Sequence, residues 1–302
     1  DFWDGDVGSF VLSRLAKATG ILGLLHRDLP RAEGLLANPP LRSFASRLPQ
    51  LALKPDNVTR RVAYFNNCGF NYAFPEVCEA TVQVLTCNGC QVEVLPNVCC
   101  GLPPWSYGDL EAAAALARQN VDLFRNGEAE AIVSDCGSCS SHLKEYGHLL
   151  ANDPAYAEAA MTFSSRVRDI NQFLAEDLAL ADTMREVAAT VTYHDPCHLS
   201  RYQKITAQPR GLLKRIPGVI YKELPEADWC CGAAGTYNIA HYDQSMAVLG
   251  RKMENVRRSG ATTLVTSCPA CMIQLSHGVR EKGLAVQVRH VTQLLAEAYC
   301  LP

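Results

Sequence analysis

Cys99-Cys100-Gly101 and Cys230-Cys231-Gly232 are one tripeptide met twice, about 130 residues apart, and the residues around them decide the fold. Cys68 stands thirty residues before the first tripeptide, and thirty-five residues counted from Cys100 lead to Cys136-x-x-Cys139. Cys197 stands thirty-two residues before the second, and thirty-six counted from Cys231 lead to Cys268-x-x-Cys271. The likeness extends beyond thiols. Val62-x-Tyr64 precedes Cys68 as Val191-x-Tyr193 precedes Cys197, and Leu95-Pro96 and Leu224-Pro225 lead into the two tripeptides. Ile132-Val133-Ser134 stands before Cys136 as Leu264-Val265-Thr266 stands before Cys268, and the run Val167 to Glu176 resembles Val288 to Glu297. Self-similarity at a fixed long period marks a duplication.

Within each copy, short apolar runs bounded by turn residues alternate with segments of helical period. Strands are expected near 62–66, 91–95 and 130–134, with helices near 76–88, 109–126 and 139–150. The second copy repeats this with strands near 190–194, 219–224, 262–266 and 285–288, and helices near 208–215, 243–258, 270–281 and 290–299. Strand-helix alternation implies parallel sheets covered by helices. The expected fold is therefore α/β, two homologous halves with the cysteines at the C-terminal ends of strands, where open α/β sheets bind ligands. The expected division is a partly helical connector over 1–60, a first cysteine-rich domain over 61–183 and a second over 184–302.

Composition narrows the function. With 302 residues, 48% of them hydrophobic, the chain can build cores that need no disulfide staples, so its 14 cysteines are read as ligands or redox groups. The apolar runs are broken by charge well before the ~20 residues of a bilayer span. A net charge of -3 argues against a nucleic-acid carrier with a broad basic face. The start at Asp1 has no charged region followed by an apolar one, so a cytoplasmic location is expected, and the absence of an initial Met suggests loss of an N-terminal piece.

Five thiols converging in an interior call for metal, because buried thiolates are costly and bare thiols oxidise. Soft thiolates select zinc, copper(I) or iron–sulfur clusters. Zinc takes four ligands, typically from two Cys-x-x-Cys knuckles on small ribbons. Adjacent cysteines point apart on an ordinary backbone, so a Cys-Cys pair reaches one centre only if that centre holds several metal atoms, which favours a cluster. Gly101 and Gly232 let backbone N–H groups approach sulfur.

Tyr193-His194-Asp195-Pro196-Cys197-His198-Leu199, Cys230-Cys231-Gly232-Ala233-Ala234-Gly235-Thr236-Tyr237 and Cys268-Pro269-Ala270-Cys271-Met272-Ile273-Gln274-Leu275 resemble the signatures of the paired Cys-Cys-Gly (CCG) iron–sulfur proteins over roughly 62–302. That family includes the heterodisulfide reductase B subunit, the iron–sulfur subunits of glycolate oxidase and D-lactate dehydrogenase, and the C subunit of anaerobic glycerol-3-phosphate dehydrogenase. The terminal Val288-Arg289-His290-Val291 is most similar to the glycolate oxidase branch. The resemblance implies two [4Fe-4S] clusters, cubane or noncubane, on Cys68, Cys99, Cys100, Cys136 and Cys139, and on Cys197, Cys230, Cys231, Cys268 and Cys271, with one or both sites filled. It implies no catalytic side chain. The chain would be the non-flavin subunit of an oxidoreductase, relaying electrons from an FAD-containing 2-hydroxyacid (glycolate or D-lactate) dehydrogenase toward quinone or another acceptor, with peripheral contact at the inner face of the cell membrane. In the heterodisulfide reductase branch such sets instead cleave a disulfide, and the glycerol-3-phosphate branch adds membrane docking. Relay members usually also carry a ferredoxin-like region with two Cys-x-x-Cys-x-x-Cys-x-x-x-Cys-Pro runs; none occurs here, so that module is expected on a missing piece or a separate chain.

Cys78, Cys87, Cys90 and Cys300 have no repeat counterpart and are expected to pack. The Cys87-x-x-Cys90 spacing suits a redox pair, but Gly89 reads as a helix end before a strand. His194 and His198 flank Cys197 and could ligate iron or move protons, but are expected to hydrogen-bond sulfur or backbone beside the cluster. Trp105, Tyr107, Trp229, Tyr237 and Asn238 are expected to pack.

Overall fold

The computed structural model describes residues 29–35, 40–51, 55, 57–125 and 127–300. Two four-stranded, all-parallel sheets organise it. The first contains β1 (Arg60–Tyr64), β2 (Cys90–Val94), β3 (Ala131–Ser134) and β4 (Val167–Asp169), in the order β2-β1-β3-β4. The second contains β5 (Ala189–Tyr193), β6 (Val219–Tyr221), β7 (Thr263–Val265) and β8 (Gln287–Arg289), in the order β6-β5-β7-β8. Register repeats as well: Tyr64 pairs with Val133, and Tyr193 with Val265. β3 and β7 are buried throughout, as inner strands of a parallel sheet covered on both faces should be, which is why they read as apolar runs. In each sheet the chain leaves the first strand to one side, then returns to the other. Between β1 and β3, and between β5 and β7, the following loops diverge and open a crevice at the strand ends.

Each half's last helical segment is handed to the other half. The helix Pro75–Cys87 packs on Val291–Ala298, and the helix Ala207–Arg215 packs on Phe173–Asp177. Val62, Val84 and Leu174 therefore share one core with Val191, Tyr193, Leu212 and Leu294. Each fully buried aliphatic side chain there contributes roughly 1.5–3 kcal/mol. The starts of these last segments reach further. Asp169 caps the turn Ile170–Gln172 by accepting from the Asn171 amide at 2.9 Å, and Asn171 Oδ1 accepts from Ser267 Oγ at 3.5 Å. His290 caps Val291–Ala298 through Nδ1, which accepts from the Thr292 amide at 3.2 Å; its Nε2 therefore donates, to the Asp135 carbonyl at 3.1 Å.

β4 is a strand that the sequence pattern does not announce. Three residues following directly on the helix Ala157–Arg166 are too short to display a period of two. The single helix expected near 139–150 is instead two, Gly137–Leu143 and Tyr146–Leu149. Of the expected 1–60 connector, most lies outside the described residues. Within it Leu29–Leu35 and Phe44–Arg47 are helical, and Arg280 donates to the Gly34 and Leu35 carbonyls at 3.0 Å, tying the first of these to the helix Pro269–Glu281.

Candidate metal centre

The loops after the strands place the cysteines. Cys68 opens the helix Cys68–Ala73, for which Asn67 is the N-cap, its side chain accepting from the Phe70 amide at 2.9 Å. Cys136 is itself an N-cap, Sγ accepting from the Cys139 amide at 3.3 Å, and Cys268 holds the same position before Pro269–Glu281. Cys197 precedes the turn His198–Tyr202. Helix starts present unpaired N–H groups and a positive dipole end, which favours sulfur carrying negative charge. Gly101 (φ +86°) and Gly232 (φ +93°) adopt the left-handed conformation, which turns the backbone so that the Gly232 amide donates to Cys230 Sγ at 3.3 Å.

Assembled, nine of the ten cysteines make a path of neighbouring thiols. Cys68 faces Cys99, Cys99 faces Cys100, Cys100 faces Cys139, and Cys139 faces Cys136. Cys136 then meets Cys268 across the boundary between the halves, and the path continues through Cys271 and Cys231 to Cys230. Cys231 and Cys271 are 3.5 Å apart. Cys197 lies beside the second set, within the electrostatic reach of Cys268 and Cys231. Cys68 and Cys230, at the two ends, are exposed, and every cysteine on the path from Cys100 to Cys231 is buried.

Thiols held down stand beside thiols pushed up, and Cys100, Cys139 and Cys136 are pushed up in succession. Hydrogen bonds from Cys100 and Cys68 hold Cys99 down to about 2, whereas the hydrogen bond to Cys99 and burial push Cys68 up. Cys268 is held well below the ordinary thiol range by Cys136, and Cys231 by Cys230; Cys271, between them, is pushed up by both hydrogen bonds and by burial. Each thiol that is held down, Cys99, Cys268 and Cys231, has pushed-up thiols as its neighbours, so adjacent thiols do not ionise together. Full ionisation requires compensating positive charge at the same place, as a multinuclear metal group provides. Two buried ring nitrogens also lack hydrogen-bond partners, His142 Nε2 beside the first set and His194 Nδ1 beside the second. The donor set fits the group that the sequence implies.

Around it lie the other residues singled out from sequence. His198 Nδ1 is 3.6 Å from Cys197 Sγ and 3.4 Å from Ser138 Oγ, and Ser138 Oγ is 3.4 Å from Cys268 Sγ, so a first-half serine touches the second set. Asn238 is buried and donates to Gln274 Oε1 at 3.0 Å; Gln274 Nε2 donates to Ser245 Oγ at 2.9 Å, whose hydroxyl donates to the Gly232 carbonyl at 2.8 Å. Trp105, Tyr107, Trp229 and Tyr237 are exposed, by 67% for Tyr107, so they lie outside the core; Trp105 packs on His142, Tyr237 on His241 and Trp229 under Arg251. Tyr107 and Thr236 hydrogen-bond across the halves. Among the unrepeated cysteines Cys78 and Cys90 are buried as expected, whereas Cys87 and Cys300 are exposed. Cys87 ends its helix and Gly89 (φ +82°) makes the turn into β2.

Sequence reading passed over Asp135 and His142. Asp135 is fully buried, accepts from Tyr64 Oη at 2.7 Å, Asn67 Nδ2 at 2.5 Å and Thr81 Oγ1 at 3.0 Å, and is pushed up to about 7 by burial. His142 stands three residues after Cys139 as Gln274 stands after Cys271, so the repeat register was the available signal.

Fold and site together define a protein built from two cysteine-rich α/β modules around a shared thiol cluster. The model of the CCG cysteine-rich domain matches twice, at residues 62–144 and 191–276, and the chain belongs to that family. It is 34% identical over 95% of its length to a probable glycolate oxidase iron-sulfur subunit of Bacillus subtilis, spanning 66% of that relative. It is 30% identical over 78% of its length to lactate utilization protein A of an Exiguobacterium species, covering 97% of that protein. A crystal structure of a hypothetical protein from Helicobacter pylori shares the fold, with a TM-score of 0.61 at 11% identity over 85% of this chain and 53% of that one. Among the described residues no helix is long and apolar enough to cross a membrane.

Proposed function

We propose that this chain is the iron–sulfur electron-transfer subunit of a flavin-dependent 2-hydroxyacid dehydrogenase, oxidising glycolate or D-lactate through an FAD-containing partner and passing electrons toward quinone or another acceptor. The thiol path from Cys68 to Cys230, exposed at both ends and buried between, is the observation that carries this reading. Cys68, Cys99, Cys100, Cys136 and Cys139 would hold one [4Fe-4S] cluster in the 61–183 domain, and Cys197, Cys230, Cys231, Cys268 and Cys271 another in the 184–302 domain. Such clusters supply one-electron redox chemistry, at potentials set by hydrogen bonds and exposure. The chain's own residues do the rest. The amides of Gly101 and Gly232 face sulfur, the shared core excludes water, and the exposed side chains of Trp105, Tyr107, Tyr202, Trp229 and Tyr237 offer partner proteins apolar, hydrogen-bonding surface. Relatives named as a glycolate oxidase subunit and a lactate utilization protein support the substrate class, and the share of the first relative that lies beyond this chain leaves room for a ferredoxin-type module.

Anaerobic purification should give a brown protein with about eight iron atoms and matching sulfide, lowered in both Cys100→Ser and Cys231→Ser. A flavoprotein of this class with D-lactate or glycolate should reduce it. A colourless protein loaded with zinc would overturn the reading, and disulfide reduction by the purified chain without a flavoprotein would replace it with a heterodisulfide-reductase-type activity.

A further inference from the structure

The two cysteine sets are built on one template and differ at an inner position ahead of the first cysteine. The residue directly after the tyrosine that ends the leading strand, three before the first cysteine of its set, is Phe65 in the first half and His194 in the second. Their backbones match: the Phe65 amide donates to the Val133 carbonyl at 2.9 Å, and the His194 amide to the Val265 carbonyl at 2.9 Å. Phe65 is fully buried against Phe124, with ring centroids 6.3 Å apart. An apolar ring is therefore what this position accommodates at no polar cost. His194 is just as buried, at 1% exposure, and its Nδ1 has no hydrogen-bond partner. An unsatisfied buried polar atom costs roughly 1–3 kcal/mol.

A ring nitrogen of His194 and the sulfurs of Cys231 and Cys271 all lie within 4.8 Å of one another. Nitrogen and sulfur ligands at about 2.0–2.3 Å around one tetrahedral metal atom stand within that span. We propose that His194 is an iron ligand of the second centre, beside Cys231 and Cys271, which makes the second centre a mixed imidazole–thiolate site while the first, with Phe65 in that place, is held by thiolates alone. The inference rests on the iron–sulfur reading above. The first set has an imidazole of its own, but from elsewhere. His142 Nε2 approaches from the helix Gly137–Leu143 and lies 3.6 Å from where a Cβ on Gly101 would stand. The second half has Gln274 there, committed to Asn238 and Ser245. The two centres thus differ in ligand type but not in ligand charge, since each keeps five thiolates and a neutral imidazole adds none.

The test uses the whole chain purified anaerobically, with natural histidine and with 15N-histidine. Pulsed electron paramagnetic resonance of the paramagnetic state should detect a nitrogen coupling of the strength of a directly bound imidazole, changed by the isotope. His194→Phe, which copies the first half, should abolish that coupling and shift one of the two midpoint potentials; His142→Gln, which copies the second half, should retain it. Iron-loaded wild-type protein without a directly bound histidine nitrogen would overturn the proposal, as would a coupling that survives His194→Phe. The wild-type spectrum decides even if the variant fails to fold. Wild-type protein without iron would instead sink the iron–sulfur reading on which the proposal stands.

Discussion

Alanine at Gly232 and alanine at Gly101 are the same substitution at equivalent positions, yet the surroundings predict unequal losses. Both glycines have φ near +90°, where an L residue costs roughly 1–2 kcal/mol. At Gly101 a Cβ would stand 3.3 Å from the Ala113 carbonyl oxygen, a tight contact that a small shift relieves. At Gly232 it would stand 2.7 Å from the Ser245 carbonyl oxygen and 3.2 Å from Ser245 Oγ. Ser245 cannot easily withdraw, because its hydroxyl donates to the Gly232 carbonyl at 2.8 Å and its backbone belongs to the helix Tyr242–Ser259. Overpacking of this kind adds about 1–3 kcal/mol. Gly232→Ala should therefore cost about 2–5 kcal/mol against about 1–2 for Gly101→Ala. Anaerobic urea unfolding of the two variants and the parent, compared at constant slope, measures the difference. Equal losses, or a larger loss at Gly101, would refute the reasoning from the Ser245 contact.

Lys252 is fully buried and donates to the carbonyls of Glu226, at a short distance, and Ala227, at 3.2 Å; burial lowers it to about 8. An unfolded lysine titrates near 10.4, so the unfolded chain holds a proton that the folded one releases and stability should rise between pH 8 and 10; Lys252→Met should flatten that rise in pH-resolved urea titrations. His290 is the acid-side counterpart. Burial lowers it to about 4, the unfolded imidazole titrates near 6.5, and stability should fall as pH drops through that window, by roughly 3 kcal/mol in all. His290→Gln should lose that part of the slope and keep the part due to His142, which burial also lowers to about 4. Arg210 holds buried Asp195 through two bonds of 2.8 Å, and Arg210→Met, which strands that carboxylate next to the Cys197 loop, should cost about 3–5 kcal/mol by denaturation.

The duplicated α/β architecture was legible because repeated tripeptides, strand runs and spacers all carried the same register, and inner strands such as β3 must be apolar on both faces. β4 was not legible, since three residues have no periodicity, although the likeness of Val167 to Val288 placed it opposite a predicted strand. The cysteines could be grouped from spacing, but spacing is blind to the meeting of Cys136 with Cys268, which depends on how the halves face each other. The same blindness misplaced the aromatic residues. An aromatic side chain near a ligand reads as core by composition, whereas Trp105 on the short helix Leu102–Ser106 and Tyr107 at its C-cap are exposed. His142 escaped because a lone histidine on a helix carries no pattern until its counterpart, Gln274, is set beside it.

Cys136 and Cys268 are the same residue of the two repeats, and they touch. Residues that meet their own copies are found at the axis of an isologous dimer, and the exchanged last helices repeat that pattern on a larger scale. The chain is laid out as a symmetric homodimer whose subunits have been joined end to end. A true homodimer must make every substitution twice. Joined in one chain, the halves are free of that constraint, and the divergence is visible at the axis itself: Gly137 donates its amide to the Ser267 carbonyl at 2.9 Å, whereas its counterpart Pro269 has no N–H to return, and the Asp135 carbonyl is taken by His290. Fusion allowed an ancestral two-fold arrangement to become directional.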